Sequence, residues 1–177
     1  GKLLEQLARQ QAHLLAKLGL QVRVVAIANS RHCLMNDEGL DLAAWPTELA
    51  AAPAQTLAEL TEFILGRNLR NTIFVDVTAN PAVAGIYADL LEKSVAVVAC
   101  NKAAASSEYA NYARLKSLSK EFNASFLFET NVGAALPIIG TLNDLTRSGD
   151  VVRRMQAVLS GTLNFVFNNY DGTRPFA

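Results

Sequence analysis

The sequence predicts an α/β fold, a parallel sheet with helices on both faces. Three observations carry this. Short β-branched runs alternate with amphipathic stretches of a dozen or so residues from about residue 72 onward, the pattern of right-handed βαβ units. Each apolar run ends in small or polar residues, as strands do where a parallel sheet meets solvent. The 177 residues, 51% of them hydrophobic, are enough for one ordinary core burying roughly 70% of the unfolded chain's surface.

The elements are taken in chain order. Leu3, Leu4, Leu7, Leu14, Leu15 and Leu18 recur at helical spacing, and Gly19 stands where a left-handed C-terminal glycine belongs. Val22 to Ile27 reads as a strand with the tip Ala28-Asn29-Ser30-Arg31. Residues 32–55 read as loop, with a short helical piece near Leu40–Trp45. Thr56 caps a helix bearing Leu57, Leu60, Ile64 and Leu65. Thr72–Val77 is a strand, and Pro81 starts a helix that runs to about Lys93. Ser94–Cys100 is the next strand. Ser106 or Ser107 caps a helix over 108–122, and Ser125–Phe128 is a short strand. A helix over Leu136–Thr146, a strand over Val151–Leu159 and a helical start at Thr162–Asn169 complete the series. The sharpest shift in composition falls at Gly149-Asp150. It divides the α/β layer, 1–149, from the beginning of another domain, 150–177.

Composition narrows the function. Sixteen Lys and Arg balance sixteen Asp and Glu, so no excess basic face invites nucleic acid or an anionic membrane surface. No apolar stretch reaches the ~18 residues of a bilayer span, and Gly1 to Glu5 lack a signal peptide's uncharged core. Cys33 and Cys100 form neither a disulfide framework nor a metal-ligand spacing. The expectation is a reduced, cytoplasmic, soluble domain without nucleic-acid or membrane partners.

In an open parallel sheet, ligands bind beyond the carboxyl ends of the strands. At the first tip, a carboxylate would accept the ribose hydroxyl of NAD; Asn29, Ser30 and Arg31 suit the 2′-phosphate of NADP instead, although on this tripeptide alone Arg31 reads more readily as a solvated surface charge. Thr78-Ala79-Asn80-Pro81 joins a strand end to a helix start, either a place for an anion or carboxamide or an ordinary capped turn. Asn101-Lys102 follows the third strand, where a lysine can polarise a carbonyl or hold a carboxylate, or simply face solvent. Glu129-Thr130-Asn131-Val132-Gly133-Ala134-Ala135-Leu136-Pro137 is rich in small residues whose carbonyls can turn inward and suit a hard cation such as sodium or calcium; it also reads as a plain strand-to-helix turn. Ser160-Gly161-Thr162 is a weak phosphate or carboxylate cradle. His13 and His32 have no Ser or Cys partner at motif spacing, which leaves a hydrolytic triad without support.

Together these residues resemble the homoserine dehydrogenase family, over nearly the whole chain from Leu3 to Phe167. The most specific segments are Glu129 to Pro137, Asn101-Lys102, and Ser160-Gly161-Thr162-Leu163-Asn164; the opening helix and Val25 to Ser30 resemble the dehydrogenase half of bifunctional aspartokinase–homoserine dehydrogenases. The resemblance implies a Rossmann-like sheet and reversible hydride transfer between NAD(P)H and L-aspartate 4-semialdehyde, giving L-homoserine on the way to threonine and methionine. It implies NADP, with NAD as the alternative, along Ala28, Asn29, Ser30, Arg31, Thr78, Ala79 and Lys102. Lys102 is the catalytic residue it assigns, and Glu129, Val132, Ala134 and Leu136 are the carbonyl ligands of a sodium ion. Ala135 stands where the family usually has glycine, so its φ is expected to be negative or the loop slightly altered.

The resemblance further implies a first strand and glycine-rich turn ahead of Gly1, and an acidic, lysine-bearing catalytic segment after Ala177. Residues 1–177 alone are therefore expected neither to bind NADP tightly nor to turn over. Residues 150–177 would begin a smaller α+β substrate and dimerisation domain, making a homo-oligomer, and an aspartate kinase domain would be fused upstream, with threonine as feedback ligand. Two other readings compete: another Rossmann oxidoreductase acting on a small aldehyde or hydroxy acid, and a non-catalytic domain that senses a nucleotide or an amino acid.

Overall fold

The computed structural model describes residues 1–158 and 160–173. The chain forms two compact units that divide between Arg70 and Asn71.

In the first unit, α1 covers Lys2–Leu18. Gly19 at φ 64° closes it: its N–H donates to the Leu15 carbonyl, and Leu20 N–H donates to that of Leu14. β1 is Ala26–Ala28 and pairs antiparallel with β2, Cys33–Met35, in the register Ala26↔Met35, Ile27↔Leu34, Ala28↔Cys33. Of the expected strand Val22–Ile27 only Ala26 and Ile27 are thus realised, because the Val24 and Val25 carbonyls accept from Leu40 N–H and Asn36 N–H in the following loop. The expected loop 32–55 contains β2 and α2, Trp45–Ala51, which begins where the predicted helical piece was to end and carries Pro46 in its first turn. α3, Leu57–Arg67, starts as expected at Thr56. There Glu59 N–H donates to Thr56 Oγ1 at 3.2 Å, and Thr56 N–H donates to Glu59 Oε2 at 2.6 Å. The Thr56 N–H, joined by the Thr56 hydroxyl donating to Glu59 Oε2 at 2.8 Å, holds the Glu59 carboxyl below its ordinary range. Cys33, Leu49, Ala52 and Leu60 form this unit's small core.

The second unit holds the parallel sheet. β3 is Ile73–Asp76, β4 Ala96–Ala99 and β5 Phe126–Leu127, in the order β3-β4-β5. Phe74 lies opposite Val97, which lies opposite Phe126, and Asp76 is opposite Ala99. Side chains alternate along a strand, so these five share one face and Ile73, Val75, Val98 and Leu127 the other. The first face is buried or half-buried, whereas Ile73, Val75 and Leu127 are exposed. Between β3 and β4 the expected single helix is two, α4 at Pro81–Gly85 and α5 at Tyr87–Glu92, interrupted at Ile86. Pro81 opens α4 as predicted, with Asn80 Oδ1 accepting from Ala82 N–H. α6, Tyr109–Glu121, packs on α5 and β5, and α5 packs on β4. Tyr87, Leu90, Leu91, Val97, Leu115 and Phe126 are the core, with Tyr87 edge-on to Phe74 and Phe126.

Neither Ser106 nor Ser107 caps α6. Their hydroxyls donate backward to the Lys102 and Ala104 carbonyls. After β5 comes a 3₁₀ turn, Glu129–Asn131, then α7 at Ile139–Arg147, three residues later than expected, because residues 132–138 form a tight loop. Residues 151–158 form no strand; Leu159, the end of the predicted one, lies outside the described residues. An extended segment needs a neighbour to complete its ladder, and no described strand pairs with this one. α8 is Gly161–Asn169, capped by Ser160, whose Oγ accepts from Leu163 N–H. Among the described residues no helix is long and apolar enough to cross a membrane.

Candidate functional site at the strand tips

The period of two along β3 puts Asp76 on the same buried face as Phe74. A carboxylate there has to find donors or stay neutral. Asp76 is 1% exposed and finds three donors: Tyr87 Oη at 2.6 Å and Asn101 Nδ2 at 3.0 Å on Oδ2, and Thr78 N–H at 2.7 Å on Oδ1. Burial pushes its pKa up, but the hydrogen bonds from Tyr87, Asn101 and Thr78 together outweigh it and hold the carboxyl below its ordinary range. Burial and the neighbouring carboxylate push the Tyr87 phenol far above its own. Tyr87 is therefore a donor and Asp76 an anion.

Asn101 is the other buried polar residue, 2% exposed. Its Nδ2 also donates to the Asn80 carbonyl at 3.0 Å, with Thr78 Oγ1 more distant at 3.4 Å, and its Oδ1 accepts from Ala103 N–H at 3.0 Å. Its backbone carbonyl accepts from Asn131 Nδ2 at 3.2 Å. One connected set of hydrogen bonds thus ties the tip after β3, the tip after β4 and the turn after β5. Thr78, Ala79 and Lys102 stand on it as exposed residues, and the Lys102 ammonium makes no ion pair or hydrogen bond among the described residues.

The Glu129 carboxylate has a structural task. Oε1 accepts from Ile139 N–H at 2.8 Å and Oε2 from Gly140 N–H at 2.7 Å, so it satisfies the first free amides of α7 and suits that helix's positive end. Between them the loop passes through two left-handed residues, Gly133 at φ 70° and Ala134 at φ 54°. Ala135 is not among the positive-φ residues, in keeping with alanine at that position. The Glu129 carbonyl accepts from Val132 N–H and that of Leu136 from Ile138 N–H, while the Val132 and Ala134 carbonyls accept no hydrogen bond among the described residues. A donor set of carbonyl oxygens is of the kind a hard cation takes. No cluster of three or more His, Cys, Asp or Glu side chains suited to a metal occurs among the described residues.

Gly133 tests how far this loop is fixed. A Cβ there would lie 2.2 Å from Ile138 Cδ1, at a φ that side chains rarely adopt. Gly133→Ala should lower stability by about 1–3 kcal/mol, read as a fall in urea midpoint. An unchanged midpoint would show the loop to be plastic.

The Ala28–Arg31 tip belongs to the first unit and is the turn of the β1–β2 hairpin. Asn29 Oδ1 accepts from Arg31 N–H at 2.7 Å and His32 N–H at 2.8 Å, leaving the Arg31 side chain exposed. His32 Nδ1 lies 2.7 Å from the Ala52 carbonyl, a structural contact. A hollow of about 400 Å³ in this unit is lined by Cys33, Leu34, Met35, Glu48, Ala51, Ala52, Pro53 and Gln55, none of them a predicted site residue. Ser160 is occupied as the cap of α8. Asp76, Tyr87 and Asn131 escaped the sequence reading as site residues, although a carboxylate on the buried face of an alternating strand was a legible signal for the first.

Residues 1–129 match the family model described as homoserine dehydrogenase, NAD binding domain, and residues 137–177 match that described as homoserine dehydrogenase. The chain is 36% identical to a bifunctional aspartokinase/homoserine dehydrogenase 2 of Zea mays, aligned over 100% of this chain and 20% of the relative. It is 38% identical to the bifunctional aspartokinase/homoserine dehydrogenase of Haemophilus influenzae, over 97% and 21%. The chain thus spans about a fifth of the length of these curated relatives. Among solved structures, a Candida auris protein of unknown function superposes with TM-score 0.72 at 35% identity, over 88% of this chain and 45% of that one. A hyperthermophilic archaeal homoserine dehydrogenase in complex with NADPH does so with TM-score 0.60 at 28% identity, over 79% and 43%. With its parallel sheet, its linked strand tips and residues 1–129 matching the model of that family's NAD binding domain, the chain belongs to the homoserine dehydrogenase family.

Proposed function

We propose that the full-length protein interconverts L-aspartate 4-semialdehyde and L-homoserine with a nicotinamide cofactor, at the tips of β3, β4 and β5. The observation that carries this reading is the single hydrogen-bonded set that brings Thr78, Lys102 and the Glu129 turn together while leaving Lys102 exposed and unpaired among the described residues. When bound, the reduced nicotinamide supplies the hydride. Thr78 and Ala79 line its nicotinamide half, with the Thr78 hydroxyl as a hydrogen-bonding group and Ala79 as a small neighbour that permits close approach. Lys102 holds the aldehyde oxygen and stabilises the negative charge that grows there as its carbon is reduced, and a proton from solvent then completes the hydroxyl. The carbonyls of Glu129, Val132, Ala134 and Leu136 would hold a sodium ion and keep the turn beside Asn131 in shape.

Within the first unit, Ala28, Asn29, Ser30 and Arg31 are the residues suited to the adenosine ribose of the cofactor, and Arg31 favours a 2′-phosphate. Arg31→Ala should raise KM for NADPH about 10–100-fold, the worth of one charge-assisted contact, with little change for NADH. Equal effects on both cofactors would remove Arg31 from the choice between them.

Residues 150–177 begin the smaller substrate domain through which two copies associate, and an aspartate kinase region belongs to the same polypeptide, as it does in the relatives. The functional reading is tested by incubating the full-length protein with NADPH and aspartate 4-semialdehyde: homoserine should appear as NADPH is consumed, and neither should happen with the aldehyde left out. Absence of both from folded protein, with NADPH and with NADH, overturns it.

A further inference from the structure

We propose that Asn101 is a positioning residue for hydride transfer: its buried amide fixes the backbone from which Lys102 and Thr78 present their side chains. This rests on the dehydrogenase reading above. The amide has only one workable orientation. Reversed, it would set Oδ1 against the Asp76 carboxylate and the Asn80 carbonyl, three acceptors with no proton among them, and Nδ2 against the Ala103 N–H. Asp76 makes that choice firm, since its Oδ2 already accepts from Tyr87 and has no proton to offer in return.

The consequence falls on Lys102. On one side Asn101 Oδ1 holds the Ala103 amide, closing a turn around the lysine. On the other, the Cys100 N–H donates to the Asp76 carbonyl at 2.7 Å, extending the β3–β4 ladder to the residue before Asn101. The lysine's own carbonyl accepts from Ser106 N–H at 2.9 Å and Ser106 Oγ at 2.8 Å. With its backbone pinned before, after and at its own carbonyl, Lys102 keeps freedom only in its side chain. The same amide reaches the Asn80 carbonyl, so a shift of Asn101 moves the loop bearing Thr78 as well. Asn131, donating to the Asn101 carbonyl, passes the constraint to the turn after β5. Among the described residues its Oδ1 is buried without a hydrogen-bond partner, while its Nδ2 is the end of the amide that the Asn101 carbonyl holds.

The test compares Asn101→Ala with Leu118→Ala in the full-length protein. Leu118 is a core residue near the C-terminal end of α6, and its truncation destabilises without touching the tips. Amide hydrogen exchange at Ala103 should lose its protection in Asn101→Ala and keep it in Leu118→Ala. The kcat for aldehyde reduction should fall about 10–100-fold in the first and stay near wild type in the second. Retained protection at Ala103, or a kcat that falls in step with stability in both variants, overturns the proposal. Should the wild-type protein reduce no aldehyde at all, the functional reading fails, and the exchange arm still decides whether Asn101 holds the tip.

Discussion

Lys102→Ala in the full-length protein is expected to lower kcat/KM for aldehyde reduction by about 10²–10³-fold, the range for loss of one preorganised contact to a developing oxyanion. Placement is the reason for so large an effect. Lys102 is exposed, yet the backbone beneath it is fixed by Asn101, Ala103 and Ser106. A flexible surface lysine would pay for its ordering at every turnover, whereas one on a fixed base acts with little reorganisation. The loss should sit mainly in kcat, because the charge it stabilises exists only as the hydride arrives. Lys102→Arg should recover only part of the rate, since a planar guanidinium does not place its charge where a compact ammonium does. A kcat/KM unchanged in Lys102→Ala would take this residue out of the chemistry.

Asp76→Ala has the largest expected effect on the fold. The substitution leaves the Tyr87 hydroxyl, one Asn101 N–H and the Thr78 N–H without their acceptor, two of these groups in the core. A single buried unsatisfied group costs about 1–3 kcal/mol, and because the three share one site their losses do not add fully. A loss of about 2–4 kcal/mol is expected, a fall in thermal midpoint of about 5 °C or more for a chain of this size. The effect also has a pH signature. The Asp76 carboxyl is held below its ordinary value of about 3.8, so its contribution is fully present above that pH and is lost as pH falls through the native value. The gap between wild type and Asp76→Ala should therefore be constant near neutrality and close in acid below about pH 4. A gap that stays open in acid would mean the carboxylate's ionisation is immaterial and only its shape matters.

Elements announced by their own residues were legible in the sequence. Gly19 as a C-terminal glycine, Thr56 as the cap of its helix, and Pro81 at a helix start are local signals whose physics needs no partner elsewhere in the chain, and each stands where it was read. Long-range pairing was not legible. The apolar run from Val22 looks like one strand, but β1 begins only at Ala26 because Asn36 and Leu40 take the preceding carbonyls. Likewise α7 begins late because its first amides are held by Glu129, ten residues back, a cap that no window of helical length contains.

The same division runs through the site. Lys102, Thr78 and the Glu129 turn could be found by inspecting the residues just beyond each strand's carboxyl end, the rule that governs parallel sheets. What the sequence hid was the tie between them. Tyr87 on α5 and Asn131 in a 3₁₀ turn carry no mark of a shared task until the fold sets both beside the Asp76–Asn101 pair. That Glu129 commits its side chain to a helix, leaving backbone oxygens as the candidates for a cation, was equally beyond local spacing.

The most direct measurement is nicotinamide absorbance in the full-length protein with NADPH, followed as aspartate 4-semialdehyde is added and homoserine is assayed alongside. The account predicts one NADPH consumed for each homoserine formed, with the rate collapsing in Lys102→Ala while that variant remains folded. A folded wild-type protein that consumes neither NADPH nor NADH in the presence of the aldehyde would contradict it.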